Sequence, residues 1–189
     1  MKRELARLVS AQVFVHSCMT GLRMAAPLML LRAGESEAAI GLLLSLFALS
    51  QVFLALPAGR MAEQYGLRAC FLISVSVASA SAMLAALWPQ TLVLSLAALC
   101  SGAACGLVII SLQRHVGRMT EDLDRLRSAF SWLSIGPAVS NFVGPVAAGL
   151  LIDHAGPQPA DVLGFRAAFA LMALFPLLTW FILRPVRER

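Results

Sequence analysis

The chain has 189 residues, of which 59% are hydrophobic and only 13% charged, and its mean hydropathy is +0.81. Soluble domains carry about a quarter charged residues, so this composition cannot cover a water-facing surface and points to an integral protein of a lipid bilayer. The net charge of +5 is dispersed over short connections and both ends, without the basic block that a nucleic-acid partner would call for.

A hydrocarbon core about 30 Å thick needs roughly 20 apolar helical residues. Six segments meet that length, at 8–31, 39–59, 69–88, 91–113, 129–152 and 165–183, and residues 1–189 are expected to form one transmembrane bundle. The first segment follows Met1-Lys2-Arg3 but is too long for the apolar region of a signal peptide and contains Arg23, so a retained helix is expected. In it Gln12, His16, Thr20 and Arg23 recur at i, i+4, i+8 and i+11, which gathers them within about 80° of a helical wheel. A charge near the bilayer centre costs about 2.5–3.5 kcal/mol on insertion scales, so Arg23 calls for a cavity or a partner. Pro27 cannot donate to the carbonyl of Arg23, which frees an acceptor beside the cation. These four residues are candidate substrate ligands. His16 is also a candidate proton carrier, since an unperturbed imidazole titrates near about pH 6.5. The competing reading of Gln12, Thr20 and the similar Gln51 is hydrogen bonding between helices.

After the connection Arg32 to Glu37, the second segment ends in Ala58-Gly59-Arg60-Met61-Ala62-Glu63-Gln64-Tyr65-Gly66, and Leu67-Arg68-Ala69-Cys70-Phe71 opens the third. Trp88-Pro89-Gln90 leads into the fourth, whose Gly102-Ala103-Ala104-Cys105-Gly106 offers a small-residue face for close helix approach. The stretch Arg114 to Arg127 mixes both signs of charge and suits a short surface helix. In the fifth segment stand Gly136, Pro137, Gly144, Pro145 and Gly149; Pro145 frees the carbonyl of Asn141, which shares a face with Ser134 and is the fifth candidate ligand. Ala148-Gly149-Leu150-Leu151-Ile152-Asp153-His154-Ala155-Gly156 then repeats the earlier turn, followed after an insert (157–164) by Phe165-Arg166-Ala167-Ala168-Phe169. Both copies read G-x-x-x-acid-x-x-G and then Arg-Ala-x-Phe. An odd number of crossings between them places the copies on opposite membrane faces, the mark of an inverted repeat.

Lys and Arg set the orientation. One side would hold Lys2, Arg3, Arg7, Arg60, Arg68, Arg114, Arg118, Arg125, Arg127, Arg184, Arg187 and Arg189, the other only Arg32 and Arg166, so both termini are expected in the cytoplasm. Cys18, Cys70, Cys100 and Cys105 form no C-x-x-C and read as packing residues, with no metal site, disulfide or cofactor implied. H-E-x-x-H and G-x-S-x-G are absent, and no Asp or Glu lies inside any of the six segments, so an intramembrane enzyme is not expected. Asp153-His154 looks like half a catalytic pair but occupies the repeat turn.

The first repeat turn resembles the signature between helices two and three of the major facilitator superfamily, G-x-x-x-D-[RK]-x-G-R-[RK]. Gly59, Gly66 and Arg68 match, Glu63 stands for the aspartate, and Gln64 and Leu67 replace the two usual basic residues. Gly144-Pro145-Val146-Ala147-Ala148-Gly149 resembles the helix-five antiporter motif G-P-x-x-G-G, with Ala148 for its first paired glycine. The helix-four motif R-x-x-x-G-x-G keeps Gly102 but has Ala98 in place of its arginine. The resemblance covers the whole chain and the first six of the family's twelve helices. It implies an all-α membrane fold of six transmembrane helices in a 3+3 inverted repeat, with helix one lining a central cavity. It further implies secondary active transport by alternating access, proton-coupled efflux of a drug-like solute or metabolite across the inner membrane, and Gly59, Glu63, Gly66 and Arg68 as a cytoplasmic gate. Because the six segments hold no carboxylate, the expected counter-charge of Arg23 is an anionic metabolite or an acid from another six-helix unit. A second six-helix bundle, either a C-terminal half or another copy, is the implied partner, and Arg184 to Arg189 resembles the start of the family's central loop. The alternative is a truncated or non-transporting six-helix membrane protein that keeps the fold as an assembly or regulatory subunit.

Overall fold

A computed structural model of the chain describes residues 2–119, 122–158 and 161–183. These residues are all helical or connecting: α1 (Lys2–Arg32), α2 (Glu37–Leu87), α3 (Thr91–Gly117), α4 (Leu123–His154) and α5 (Val162–Leu183). All five are long and apolar enough to cross a membrane. Ser36 caps α2 by accepting from the Ala39 amide, and Asp122 caps α4 by accepting from those of Asp124 and Arg125. Pro27, Pro57, Pro137, Pro145 and Pro176 all lie within helices, as membrane helices tolerate where neighbours satisfy the freed carbonyls.

The sequence leads to six helices and the structure has five helical elements, because the segments 39–59 and 69–88 both fall within α2. A straight helix of its 51 residues would run about 76 Å, well over twice the thickness of a hydrocarbon core, about 30 Å. It is not straight. Gly66 leaves the helical region (φ 75°, ψ −178°), in a part of the backbone map that only glycine enters freely. The Thr91 hydroxyl, just beyond the end of α2, donates to Glu35 Oε1, just before its start, at 2.9 Å. The two arms, 37–65 and 67–87, therefore lie side by side, and a single glycine makes the reversal that a longer loop was expected to make.

Two connections also differ from expectation. The Arg114–Arg127 stretch contains no separate surface helix among its described residues, since α3 continues to Gly117 and α4 starts at Leu123; Glu121 lies outside the described residues. The insert after the second repeat turn is shorter than the apolar pattern suggests, because Val162 to Gly164 already belong to α5. Pro159 and the ending Arg184 to Arg189 lie outside the described residues.

Helix α1 runs through the middle of the packing. It lies parallel to α4, with Gln12 beside Gly136, Thr20 beside Gly144 and Met24 beside Gly149. It lies antiparallel to α5, with Thr179 donating to the Ala11 carbonyl at 3.4 Å, Phe14 edge-on to Phe175 at 6.1 Å, and Gly21 against Met172. In lipid there is no hydrophobic drive between helices, so close backbone approach and hydrogen bonds have to hold them together. Gly136, Ser140, Gly144 and Ala148 form the buried stripe of α4. Of the two glycines in that stripe Gly144 makes the closer approach: a β-carbon there would stand 2.2 Å from Thr20 Oγ1 and 2.6 Å from the Ser17 carbonyl oxygen. Across α2 and α3, Gly102 meets Ser50 and the Phe47 carbonyl in the same manner.

Candidate functional site

The polar residues of α1 share one side of the helix but not one environment. Gln12 is buried against Gly136, and its Oε1 has no hydrogen-bond partner among the described residues. His16 is buried with Nδ1 3.3 Å from Cys105 Sγ on α3. Thr20 is buried and donates to the Ser140 carbonyl on α4 at 2.8 Å. Arg23 is exposed, and among the described residues it has neither an ion pair nor a hydrogen bond. It stands nine residues before the end of α1 at Arg32, about 14 Å along the axis, or half the thickness of a hydrocarbon core of about 30 Å. The periodicity thus brings Gln12, His16 and Thr20 into contacts with α3 and α4 and leaves Arg23 on an open surface.

Asn141 on α4 is also exposed. Ser134, on the same face, turns its hydroxyl back to the Ser131 carbonyl at 2.7 Å. Gln51 on the first arm of α2 donates to Met19 Sδ at 3.4 Å. Pro145 and Gly149 flank the α1 contact, where a β-carbon on Gly149 would meet only Met24 Cε, at 3.4 Å.

The first repeat turn is built around a cation that the sequence reading missed. Arg114, near the end of α3, pairs with Glu63 (Nη2 to Oε1, 3.7 Å) and donates through Nη1 to the Ala62 carbonyl. One guanidinium thus ties α3 to the end of the first arm of α2. The available signal was its position as the first charge after the fourth apolar segment. Arg68 is exposed one residue beyond Leu67 on the second arm, and Gly59 has open space where a side chain would stand. At the same end of the bundle, His115 Nε2 on α3 lies 3.8 Å from Glu4 Oε1 on α1.

The second repeat turn is built differently. Gly156 does not take the positive φ of Gly66. His154 donates Nδ1–H to the Leu150 carbonyl of its own helix at 2.9 Å, and Asp153 is exposed, so they form no catalytic pair. Arg166 on α5 donates to the Ala86 carbonyl in the last turn of α2 at 2.8 Å, where a cation meets the negative end of a helix dipole. Cys18, Cys70, Cys100 and Cys105 are free thiols, and no group of three or more His, Cys, Asp or Glu among the described residues is placed to hold a metal.

A long apolar helix carrying an exposed arginine, small-residue helix contacts and an acid–arginine tie at a glycine turn all lie within the match of the Major Facilitator Superfamily family model, which extends over residues 8–189. The chain belongs to the major facilitator superfamily. No curated protein shows significant similarity to it. Major facilitator proteins are secondary transporters of small solutes rather than enzymes. Membership and the five apolar helices together make this chain an integral membrane protein.

Proposed function

We propose that the chain is the N-terminal half of a major facilitator transporter, crossing the inner membrane six times as a 3+3 inverted repeat with both ends in the cytoplasm. The reversal of α2 at Gly66 supports six crossings, and the duplicated turn supports the inversion. The gathering of Arg68, Arg114 and the Glu4–His115 pair at one end of the bundle supports the orientation. A second six-helix bundle, either a C-terminal half or another copy, completes the central cavity, and the two rock around a midplane site.

Arg23 carries the functional reading. It is exposed near mid-membrane, the six apolar segments contain no carboxylate, and a desolvated cation needs a counter-charge. That counter-charge is an anionic group of the transported solute, or else an acid of the second bundle, with Asn141 on α4 as a further hydrogen-bonding ligand. Gln12 and Thr20 border the site from the α1–α4 contact, and His16 is the proton carrier for coupled efflux. Glu63, Gly59, Gly66 and Arg68 act as the cytoplasmic gate, with Arg114 as the partner of Glu63.

The test is efflux of a panel of organic anions from vesicles bearing the chain, with and without a pH gradient. Wild-type flux that depends on the gradient and falls at least tenfold in Arg23→Gln is expected; undiminished transport by Arg23→Gln would sink the assignment. Liposomes containing only this chain separate transport by paired copies from the need for another bundle.

A further inference from the structure

Helix α5 returns alongside the second arm of α2, antiparallel to it. Arg166 meets Ala86 at one end, and Leu183 comes beside Arg68 at the other. At this second end the two helices part to form a groove of about 340 Å³, walled by Phe71, Leu72 and Val75 on one side and Trp180 and Leu183 on the other, with Arg68 at its end. Behind that lining, Phe71, Val75 and Leu183 belong to an apolar cluster with Leu5 and Leu8 of α1. Its rim is formed by Leu72 (48% exposed) and Trp180 (49% exposed). Because α1 packs behind Phe71 and Leu183 while Leu72 and Trp180 are exposed, the groove opens on the outer surface of the bundle.

The chemistry of the lining is that of an amphiphile's complement. Apolar side chains make up nearly all of the wall, and the Thr179 hydroxyl is already given to the Ala11 carbonyl. Among the described lining residues the charged one is Arg68, at the end of the bundle where Arg114 also lies. A guanidinium binds phosphate through paired N–H donors, and basic pockets between membrane helices select anionic head groups. An indole at the rim suits the same boundary, with an apolar body and one polar N–H.

We propose that this groove binds one anionic phospholipid, with Arg68 holding the phosphate and the wall between α2 and α5 holding an acyl chain. The lipid would sit directly after the Gly66 turn and bridge that turn to the end of α5. The site requires only that the chain lie in a bilayer; it does not depend on the transport reading, and its test does not measure flux.

Trp180 reports on the groove. With Trp88→Phe and Trp132→Phe in place, the chain is reconstituted in phosphatidylcholine vesicles containing either brominated phosphatidylglycerol or brominated phosphatidylcholine at equal mole fraction. Half-maximal quenching of Trp180 by the anionic lipid is expected at a mole fraction at least threefold lower than by the neutral one. Arg68→Gln should abolish that difference, and Arg60→Gln, an exposed cation on the same turn, should keep it. Equal quenching by the two lipids in the unaltered groove, or a preference that survives Arg68→Gln, overturns the proposal. If Arg68→Gln does not fold, Ala69→Leu narrows the groove without touching the charge: weaker quenching by the anionic lipid supports the site, and an unchanged preference overturns it. Relief of quenching by millimolar inorganic phosphate would assign Arg68 to a soluble anion and overturn the lipid reading.

Discussion

Thr20 of α1 donates its hydroxyl to the main-chain carbonyl of Ser140 on α4 at 2.8 Å. Ser140 in turn donates to the Gly136 carbonyl at 2.7 Å and lies 3.2 Å from that of Val13. The side of α1 that carries Arg23 is thus also the side by which α1 is hydrogen-bonded to α4. The exposed Arg23 and the packing residues share one helical stripe, and they are told apart by what covers each position.

Thr20→Val removes that hydrogen bond with almost no change in shape. Interhelical hydrogen bonds in membranes average about 0.6 kcal/mol and reach about 1.7, so a small fall in thermal stability in detergent is expected, with Thr20→Ser retaining most of it. If Thr20 also touches solute, the half-saturating concentration for transport rises in the valine variant beyond what this loss explains.

Gly144→Ala is expected to be far more damaging. Its methyl would stand 2.2 Å from Thr20 Oγ1, 2.6 Å from the Ser17 carbonyl oxygen and 2.8 Å from the Gly21 nitrogen, and two of those three are main chain. Overpacking of this kind costs about 1–3 kcal/mol, and more where backbones must separate. Gly59→Ala is the control, because nothing lies within 4 Å of its missing side chain. A melting temperature lowered in the first variant and held in the second checks the contrast.

Gly66→Ala forces a side chain into the backbone region at φ 75°, ψ −178°, at a cost of about 1–3 kcal/mol. Gly66→Asn should give no relief, since asparagine tolerates left-handed helical angles rather than ψ near 180°. Both variants are expected to lower the membrane yield and melting temperature of the folded chain.

The Glu63–Arg114 pair is asymmetric, with the side chains 63% and 23% exposed. Exposed ion pairs contribute about 0.2–1 kcal/mol, so the coupling energy from a double-mutant cycle of Glu63→Gln and Arg114→Gln should fall in that range. Arg114→Gln alone should cost more than Glu63→Gln alone, because it also gives up the bond to the Ala62 carbonyl.

The apolar segments, the glycine contacts of α3 and α4 and the family were legible in the sequence, since each depends on local composition and spacing. The join of two segments into α2 was not. The motif at Gly59–Gly66 has two glycines, and spacing does not say which one takes positive φ. Nor did the matching motif reveal that its second copy ends differently, with Gly156 in ordinary backbone and Arg166 capping α2. On α1 the periodicity found the side but not its neighbours. Burial of His16 against Cys105, and of Gln12 against Gly136, depends on helices far along the chain. Arg114 was missed for the same reason, as its partner Glu63 belongs to another helix.

The most direct test concerns Arg23, whose exposure is read as facing a water-filled cavity rather than lipid. Cys18, Cys70 and Cys105 are buried, so Arg23→Cys combined with Cys100→Ser leaves one accessible thiol in the apolar segments. In sealed vesicles that thiol should react with a charged, membrane-impermeant methanethiosulfonate, and an anionic substrate should slow the reaction. Modification only by a lipid-soluble maleimide, with the charged reagent inert from both sides, would contradict the assignment of Arg23 to the transport cavity.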